Sequence, residues 1–325
     1  MIRGVRPRRL AAVLGLIVVL AVVAGIVLLL SPSGGPVADR SFQRESTATV
    51  LYVGQFPAEG ESALLGPIGI GIGDDMLYVA ESDAGRVSLF ALDGSARGAI
   101  VLPVASGAPS AYPSDLAVLD ENRLVVVDNA GMRVLIVASG PNAEGPLLGV
   151  VGERSAASRP LQPTAVAVGA NEIYVADAGD RTIKVYAQDG RFERVIAKDL
   201  NQALTFVGGM VVLGNELFVT DSNAGRVLVL DVRAGTLKRT FPDTRVLPRG
   251  ICAGRDNGVL VADTFERSVL LLSAKGAALD EITAASGGSL GSPRDVAWSE
   301  ARAQAYVTDA GAGRVMVYRM RPSPE

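Results

Sequence analysis

Residues 163–190 read PTAVAVGANEIYVADAGDRTIKVYAQDG and contain three short apolar strands separated by two turns. The second strand ends in Asp177, and Arg181 stands just before the third strand. Short apolar runs bounded by Gly, Asn and Asp are typical of buried strands that are joined by tight turns. The segment therefore predicts an antiparallel sheet of at least three strands.

This pattern recurs six times along the chain. The copies start at Pro67, Pro113, Pro163, Val207, Pro248 and Pro293. The acids that end the second strands are Glu81, Asp128, Asp177, Asp221, Asp263 and Asp309, which are spaced by 47, 49, 44, 42 and 46 residues. Each acid is followed four or five residues later by an arginine, namely Arg86, Arg133, Arg181, Arg226, Arg267 and Arg314. A period in the mid-forties predicts repeated blades, and because every copy carries the acid and the arginine we interpret them as structural.

The two ends of the repeat series predict how the blades form a ring. Apolar stretches between the copies supply a fourth, outer strand to five blades, but the sixth copy lacks one. A spare apolar strand, residues 47–53, precedes the first copy. Its pairing with the last blade would remove the open sheet edges that invite aggregation. We therefore predict an all-β fold, a six-bladed β-propeller over residues 47–320, with residues 321–325 as a C-terminal tail.

The N-terminal region predicts a transmembrane helix before the propeller. Residues 10–30 are 21 consecutive apolar or small residues, and a helix of that length is about 31 Å long, the thickness of a bilayer core. Four arginines and no acid precede this segment, so the positive-inside rule predicts that residues 1–9 are cytoplasmic and that the propeller is extracytoplasmic. A cleaved signal peptide is the alternative, although its apolar core is usually only about 7–15 residues long. Residues 31–46, rich in Ser, Gly, Pro and charge, are expected to form a flexible linker.

Composition excludes several classes of function. The chain has no histidine, which excludes Ser-His-Asp, Cys-His and His-zinc mechanisms. Its single cysteine, Cys252, cannot form an intramolecular disulfide and is expected to be inert. Without the four N-terminal arginines, 27 basic residues face 34 acidic ones, a net charge of −7, so nucleic acid is not an expected partner.

The first strand of each copy predicts the lining of a central channel. Small side chains should face the channel, whereas the bulky residues between them, and Trp298, should pack between blades. Asp115 and Asp295 break the small-residue pattern at one level, and Arg249 and Arg294 stand beside that level.

We predict that Asp115, Asp295, Arg249 and Arg294 line a channel mouth that holds a cation or a polar ligand. The alternative is that these four are solvated residues paired with one another. Calcium takes six to eight oxygen ligands, and two aspartates fall short of that number. The sequence therefore predicts no catalytic residue, no metal ligand and no cofactor, with a divalent cation such as calcium left open.

The motifs resemble those of the NHL-repeat family of propellers. The shared pattern is Pro-x-Gly-Ile-x-Val, then Ile-Tyr-Val-Ala-Asp, then Asn-x-Arg-Ile/Val-x-Val-Phe with Asp-Gly, and residues 163–190 match it best. The resemblance covers about residues 47–320 and implies a bacterial, membrane-anchored, extracytoplasmic propeller. Similar propellers include sensor domains of receptor kinases, RNA- and protein-binding modules, amidating and streptogramin lyases and gluconolactonase-like hydrolases. The metal-histidine chemistry of the lyases has no counterpart in a chain without histidine.

We expect a single-pass protein of the cell membrane that works as a binding scaffold and presents its propeller loops to a protein, peptide or envelope ligand. Its irregular connections, residues 106–112, 140–145, 153–162 and 285–292, are the predicted contact loops. The alternative is a metal-dependent, lactonase-like hydrolase that uses the channel-mouth carboxylates.

Overall fold

The computed structural model describes residues 50–73, 75–140, 146–153, 158–169, 171–197, 204–241 and 247–320. The cytoplasmic segment, anchor and linker predicted for residues 1–46 lie outside these ranges, and so does the tail, residues 321–325. Across the ranges that are described, no helix combines the length and the apolar character needed to cross a membrane. The described residues form an all-β fold of six four-stranded antiparallel sheets.

The strands are β1 (Val50–Phe56), β2 (Pro67–Gly73), β3 (Met76–Glu81), β4 (Arg86–Ala91), β5 (Ala96–Val101), β6 (Pro113–Asp120), β7 (Arg123–Asp128), β8 (Arg133–Ala138), β9 (Leu147–Val150), β10 (Pro163–Gly169), β11 (Glu172–Asp177), β12 (Thr182–Ala187), β13 (Phe192–Ile196), β14 (Val207–Leu213), β15 (Glu216–Asp221), β16 (Arg226–Asp231), β17 (Leu237–Phe241), β18 (Pro248–Ala253), β19 (Val259–Asp263), β20 (Ser268–Leu272), β21 (Ala278–Ile282), β22 (Pro293–Ser299), β23 (Gln304–Asp309) and β24 (Arg314–Met320). Short 3-10 helices occupy Ser82–Ala84, Ser222–Ala224, Arg255–Asn257 and Ala284–Ser286.

Each blade is one sheet. Blades 1 to 5 use four consecutive strands each, from β2–β5 to β18–β21, whereas blade 6 has the order β22-β23-β24-β1. In blade 6 the N-terminal strand β1 pairs antiparallel with β24, and Tyr52 lies opposite Tyr318 with their rings 5.7 Å apart. The predicted ring closure is confirmed. The described strand begins at Val50 and continues to Phe56, so it extends beyond the predicted residues 47–53.

The core lies between the blades. Six clusters of buried apolar side chains occur, one for each pair of neighbouring blades, and one of them joins Ile70 and Leu77 of blade 1 to Tyr306 of blade 6. The second strands, such as β7 with the sequence RLVVVD, are almost entirely buried because both of their faces contact another blade. Burial of one large aliphatic side chain contributes roughly 1.5–3 kcal/mol. The ring therefore places its apolar stabilisation at the blade interfaces.

The propeller has two faces, which the strand register defines. In blade 3, Pro163 pairs with Asp177 and Asp177 pairs with Thr182, so the start of the first strand and the second turn lie at the same edge. We call this side of the ring the mouth face; it also carries the connections that lead from one blade to the next. The opposite face carries the turns between first and second strands and between third and fourth strands.

Candidate functional site

The six acids that end the second strands hold the connections of the mouth face in place. All six are at most 2% exposed. Each accepts a hydrogen bond from the connection that enters its blade: Leu65 N donates to Glu81 Oε2 at 2.8 Å, and Tyr112 N donates to Asp128 Oδ1 at 2.9 Å. Because buried carboxylates that accept backbone N–H groups stabilise turns, these acids are structural, as interpreted from the sequence.

The arginines that follow these acids are less uniform than the sequence pattern indicates. Ion pairs join Arg86 to Glu81, Arg133 to Asp128 and Arg226 to Asp221. In blade 3, Lys184 pairs with Asp177. In blade 6, Arg314 instead donates to the backbone oxygens of Pro57 and Ala58. The sequence repeat thus predicts the position of the arginine but not its partner.

Asp115 and Asp295 face the channel cavity and also connect neighbouring blades. Asp115 Oδ2 accepts a hydrogen bond from Val166 N of blade 3 at 2.8 Å, and its Oδ1 accepts from Leu116 N at 2.8 Å. Asp295 makes the same two contacts, with Ile70 N of blade 1 at 2.9 Å and with Val296 N at 2.8 Å. Each carboxyl group therefore joins the first strands of two adjacent blades.

Burial dominates the electrostatics of this pair. It raises the pKa of Asp115 to about 7, despite the opposing effect of the two N–H donors. It also raises the pKa of Asp295 well above its usual value, and the nearby Asp115 carboxylate adds to that shift. Both carboxyl groups therefore keep their protons to a higher pH than a solvent-exposed aspartate does.

A cavity of ≈ 240 Å³ lies in the channel beside these two aspartates, and residues of all six first strands line it. Cys252 lines this cavity, and burial raises the pKa of its thiol, which agrees with the expectation of an inert cysteine. Trp298 packs against the core between blades 5 and 6 but also lines the cavity, and its Nε1 donates to Glu300 Oε2 at 2.6 Å. The predicted packing of Trp298 between blades is therefore confirmed, and the same side chain also reaches the channel cavity.

A second cavity, of ≈ 170 Å³, lies at the end of the channel that opens on the mouth face. It is lined by the second residue of every first strand, namely Ile68, Ser114, Thr164, Gly208, Arg249 and Arg294, together with Tyr112, Asn129 and Phe206. A cavity that touches the same position of all six blades must lie on the axis of the ring. We call this cavity the mouth.

Two arginines give the mouth its charge. Its lining contains Arg249 and Arg294 and no acid. Burial lowers the pKa of Arg249, and the nearby positive charge of Arg294 lowers it further. The Arg249 guanidinium lies 5.5 Å from the centre of the Phe206 ring, and its buried Nε has no hydrogen-bond partner among the described residues. Two like charges thus lie close together without a carboxylate between them.

The other polar groups of the mouth are hydroxyl and amide groups. Asn129 Nδ2 donates to Ser114 Oγ at 2.9 Å, which occupies one of the two N–H donors of that amide. The Oγ1 of Thr164 is buried and has no partner within the described chain. Thr164 therefore offers the mouth an uncommitted hydroxyl group.

The structure divides the four predicted ligand-binding residues between two sites. Asp115 and Asp295 lie together at the channel cavity, whereas Arg249 and Arg294 lie together at the mouth. No ion pair between the aspartates and these arginines is found among the described residues, and the aspartates contact backbone N–H groups instead. The alternative interpretation, in which the four residues pair with one another, is therefore not supported. Ligand binding at these residues stays a prediction.

Within the described ranges, no group of three or more Asp, Glu or Cys side chains is arranged so that it could hold a metal ion. The two channel aspartates use both of their oxygens on backbone N–H groups. Two aspartates supply fewer oxygen ligands than the six to eight that calcium takes, and a divalent cation at the channel stays a prediction.

The exposed apolar side chains of the described chain are unevenly distributed. One set lies on the outer strands: Leu51, Val53, Val101, Leu147, Leu148 and Leu237. The other set belongs to turns and connections of the mouth face: Leu65, Val104, Tyr112, Met132, Leu161 and Phe265. Met132 is 63% exposed and Phe265 is 69% exposed. The described turns of the opposite face carry no large exposed apolar residue.

Three of the four predicted contact loops share the mouth face. Residues 106–112, 153–162 and 285–292 each connect one blade to the next, although residues 154–157 are not described. The fourth loop, residues 140–145, follows β8 in the chain, and residues 141–145 lie outside the described ranges. The mouth face therefore concentrates the irregular loops as well as the exposed apolar residues.

No protein-family model matches the sequence, and no curated protein matches it. Solved structures do resemble the fold. A streptogramin B lyase is 17% identical with a TM-score of 0.55, and the match covers 85% of this chain and 88% of the lyase. A catalytically inactive histidine-to-alanine variant of virginiamycin B lyase from Staphylococcus aureus, solved with quinupristin, is 15% identical with a TM-score of 0.54 over 85% of this chain and 88% of that one. The WD40 β-propeller domain of Doa1 is 13% identical with a TM-score of 0.54, over 77% of each chain.

This chain has the fold of a six-bladed β-propeller. Identities this low support the fold alone, so the resemblance to NHL repeats stays a prediction.

Sequence analysis missed the residues that complete the mouth, such as Thr164 and Phe206. Thr164 could have been predicted from its position in the repeat, because the second residue of the first strand lines the mouth in all six blades. Phe206 stands immediately before the first strand of blade 4. No spacing rule in the sequence indicates its contact with Arg249.

Proposed function

We propose that this propeller is a binding scaffold, anchored in the cell membrane by residues 10–30, that presents its mouth face to a protein or peptide partner outside the cytoplasm. The observation that carries the proposal is the distribution of exposed apolar side chains. Outside the outer strands, the described large exposed apolar residues all lie on the mouth face, as Phe265 and Met132 do. Exposed apolar side chains on loops that a rigid scaffold holds in place favour an interaction site.

The mouth face is rigid enough to act as such a scaffold. The six buried acids fix its connections, as Asp309 does by accepting hydrogen bonds from Gly291 N at 2.6 Å and Ser292 N at 2.7 Å. A partner would therefore meet loops that are already ordered, which lowers the entropic cost of binding.

The membrane part of the proposal rests on the sequence. A run of 21 apolar or small residues preceded by four arginines favours a single-pass helix with a cytoplasmic N-terminus. Resistance of the full-length chain to alkaline extraction from membranes, and its loss when residues 10–30 are deleted, is the expected result. Release of the intact chain by alkali would contradict the anchor.

The hydrolase alternative has less support than the binding function. The lyase variant among the similar structures is described as catalytically inactive once a histidine is replaced by alanine, and this chain has no histidine at all. Both channel carboxyl groups accept hydrogen bonds from backbone N–H groups of the neighbouring blade, which gives them a structural role. We therefore favour binding over metal-dependent hydrolysis.

Site-specific photocrosslinking in intact membranes tests the scaffold function. The photoreactive residue replaces Phe265 on the mouth face, or Lys275 on the opposite face of the same blade as the matched control. We expect one identified partner to be crosslinked reproducibly at position 265 and not at position 275. That partner, once purified, should bind the Phe265→Ser variant more weakly than the unaltered chain. Equal capture at both positions, or no adduct at position 265, would overturn the proposal.

A further inference from the structure

We propose that the mouth is a subsite for one carboxylate side chain of the partner, held between Arg249 and Arg294. This inference rests on the proposed binding function and names the chemical group that the mouth recognises. It follows from the charge of the mouth, its unpaired donors and the position of the mouth within the apolar surface.

The charge of the mouth is not balanced within the described chain. The lining contains two arginines and no acid, and the acid that acts on Arg249 through space is Asp263. The Asp263 carboxylate already accepts hydrogen bonds from Leu247, Phe265 and Glu266 N–H groups at 2.8–2.9 Å. Close like charges without a counterion are unfavourable, so an anion that enters the mouth is attracted by both guanidinium groups.

The unpaired hydrogen-bond donors point to the same ligand. Arg249 Nε and Thr164 Oγ1 are buried and lack partners among the described residues. A buried donor without a partner is unfavourable, because it has lost its hydrogen bond to water. A carboxylate brings two acceptor oxygens into the mouth and can satisfy such donors.

The size of the mouth favours a side chain over a larger ligand. Its volume is ≈ 170 Å³, which is small beside the roughly 300–1,000 Å³ of sites for drug-sized molecules. The lining offers two guanidinium groups but no lysine. A singly charged planar carboxylate matches the planar arrangement of N–H donors on these two guanidinium groups.

The position of the mouth explains why the acid would be central in the interface. The exposed apolar residue Met132 belongs to blade 2, and the exposed apolar residue Phe265 belongs to blade 5, on the other side of the ring axis. A partner that contacts both must cover the mouth. Its facing side chain then loses contact with water, and a carboxylate there requires the charge that Arg249 and Arg294 supply.

Propionate is the probe for this inference because it has the end group of an acidic side chain. Propionamide is a neutral control of nearly the same shape, and inorganic phosphate tests the other anion class. The purified full-length chain in detergent is titrated with each at constant ionic strength, and the melting temperature and the heat of binding are recorded. We expect propionate to raise the melting temperature in a saturable manner and propionamide to leave it unchanged.

Arginine variants assign the effect to the mouth. The double variant Arg249→Gln/Arg294→Gln should raise the Kd for propionate roughly tenfold or more. Arg267→Gln removes an exposed arginine from the same face and should leave the Kd unchanged. No propionate effect, an equal effect of propionamide, an unchanged Kd in the double variant, or saturable binding of phosphate but not propionate would each overturn the carboxylate subsite.

The two proposals fail separately. If propionate binds through the arginines but no partner is crosslinked at position 265, the binding-scaffold function fails, and the mouth stands as a carboxylate site without a partner side chain. If a partner is crosslinked at position 265 but binds the double variant with unchanged affinity, the scaffold stands and the carboxylate subsite fails.

Discussion

The carboxylate of Asp295 in blade 6 accepts a hydrogen bond from the backbone N–H of Ile70 in blade 1 at 2.9 Å, although the two residues are 225 positions apart in sequence. This contact joins the first strand of blade 6 to the first strand of blade 1. The equivalent contact of Asp115 with Val166 joins blades 2 and 3. The two aspartates thus connect neighbouring blades at the axis, where the apolar clusters between the sheets end.

Replacing Asp295 tests this connection. Asp295→Ala should lower the free energy of unfolding by about 1–3 kcal/mol, because the Ile70 and Val296 N–H groups lose their acceptor. Denaturant unfolding measures the change. Glu266→Ala, at an exposed position of the mouth face, serves as the control and should change little. Equal stability of the two variants would contradict a connecting role for Asp295.

The raised pKa values of the aspartates predict how stability depends on pH. The folded chain holds protons on Asp115, with a pKa of about 7, and on Asp295, whereas an unfolded chain releases them near pH 4. The stability that these protons provide is therefore complete at about pH 4 and declines as pH rises towards 7 and above, by up to about 1.4 kcal/mol per pH unit for each group.

Unfolding curves of the unaltered chain and of Asp115→Asn between pH 4 and pH 8 check this dependence. The variant cannot ionise at position 115, so its stability should decline less steeply than that of the unaltered chain. The difference between the two profiles isolates Asp115 from the other carboxyl groups. Parallel profiles would show that the Asp115 pKa is not raised.

Removal of the N-terminal strand should open the ring. Deletion of residues 47–55 takes away most of β1 and leaves the edge of β24 unpaired, so we expect a lower melting temperature and concentration-dependent aggregation. Deletion of residues 33–41, of the same length but within the predicted linker, is the matched control. Unchanged melting of the first variant would mean that β1 does not contribute to closure.

Arg249 and Arg133 should respond in opposite ways to the same substitution. Arg133 pairs with buried Asp128 at 2.9 Å, and Arg133→Gln should destabilise the fold by about 1–3 kcal/mol because that carboxylate loses its charged partner. Arg249 shares the mouth with Arg294 and forms no ion pair with an acid of the described residues, so Arg249→Gln should leave the melting temperature unchanged or raise it. A large loss of stability in Arg249→Gln would identify that arginine as structural rather than as a ligand-binding residue.

Much of the fold was predictable because its signals are local and repeated. The fourth strands could be located as apolar stretches between copies, and one of these stretches forms the strand Leu237–Phe241. Bulky residues such as Val166 and Met210 are buried between blades, as their alternation with small residues predicts. The partner of each arginine could not be predicted, because Lys184 competes for Asp177 and the backbone of Pro57 competes for Arg314.

The candidate site was predictable only in part. Asp115 and Asp295 are polar at a position where other blades carry small residues, and that anomaly indicates the channel without any structure. The direction of their side chains could not be predicted from the sequence. Each side chain points to the backbone of the next blade. Close packing at Gly250 is the reason. A methyl group at that position would overlap Asp295 Oδ1, so the neighbouring first strands are close enough to restrict the side-chain conformation of Asp295.

The sequence by itself determined the number of blades, the all-β architecture and the closure of the ring, because a repeated apolar period and one spare strand leave a single way to pair every edge. Only the tertiary structure decided that Arg249 and Arg294 share one cavity with Thr164 and Phe206, while the two aspartates line another. These residues come from blades that are far apart in the chain. Their distances are set by the closed ring, which brings the six first strands together around one axis.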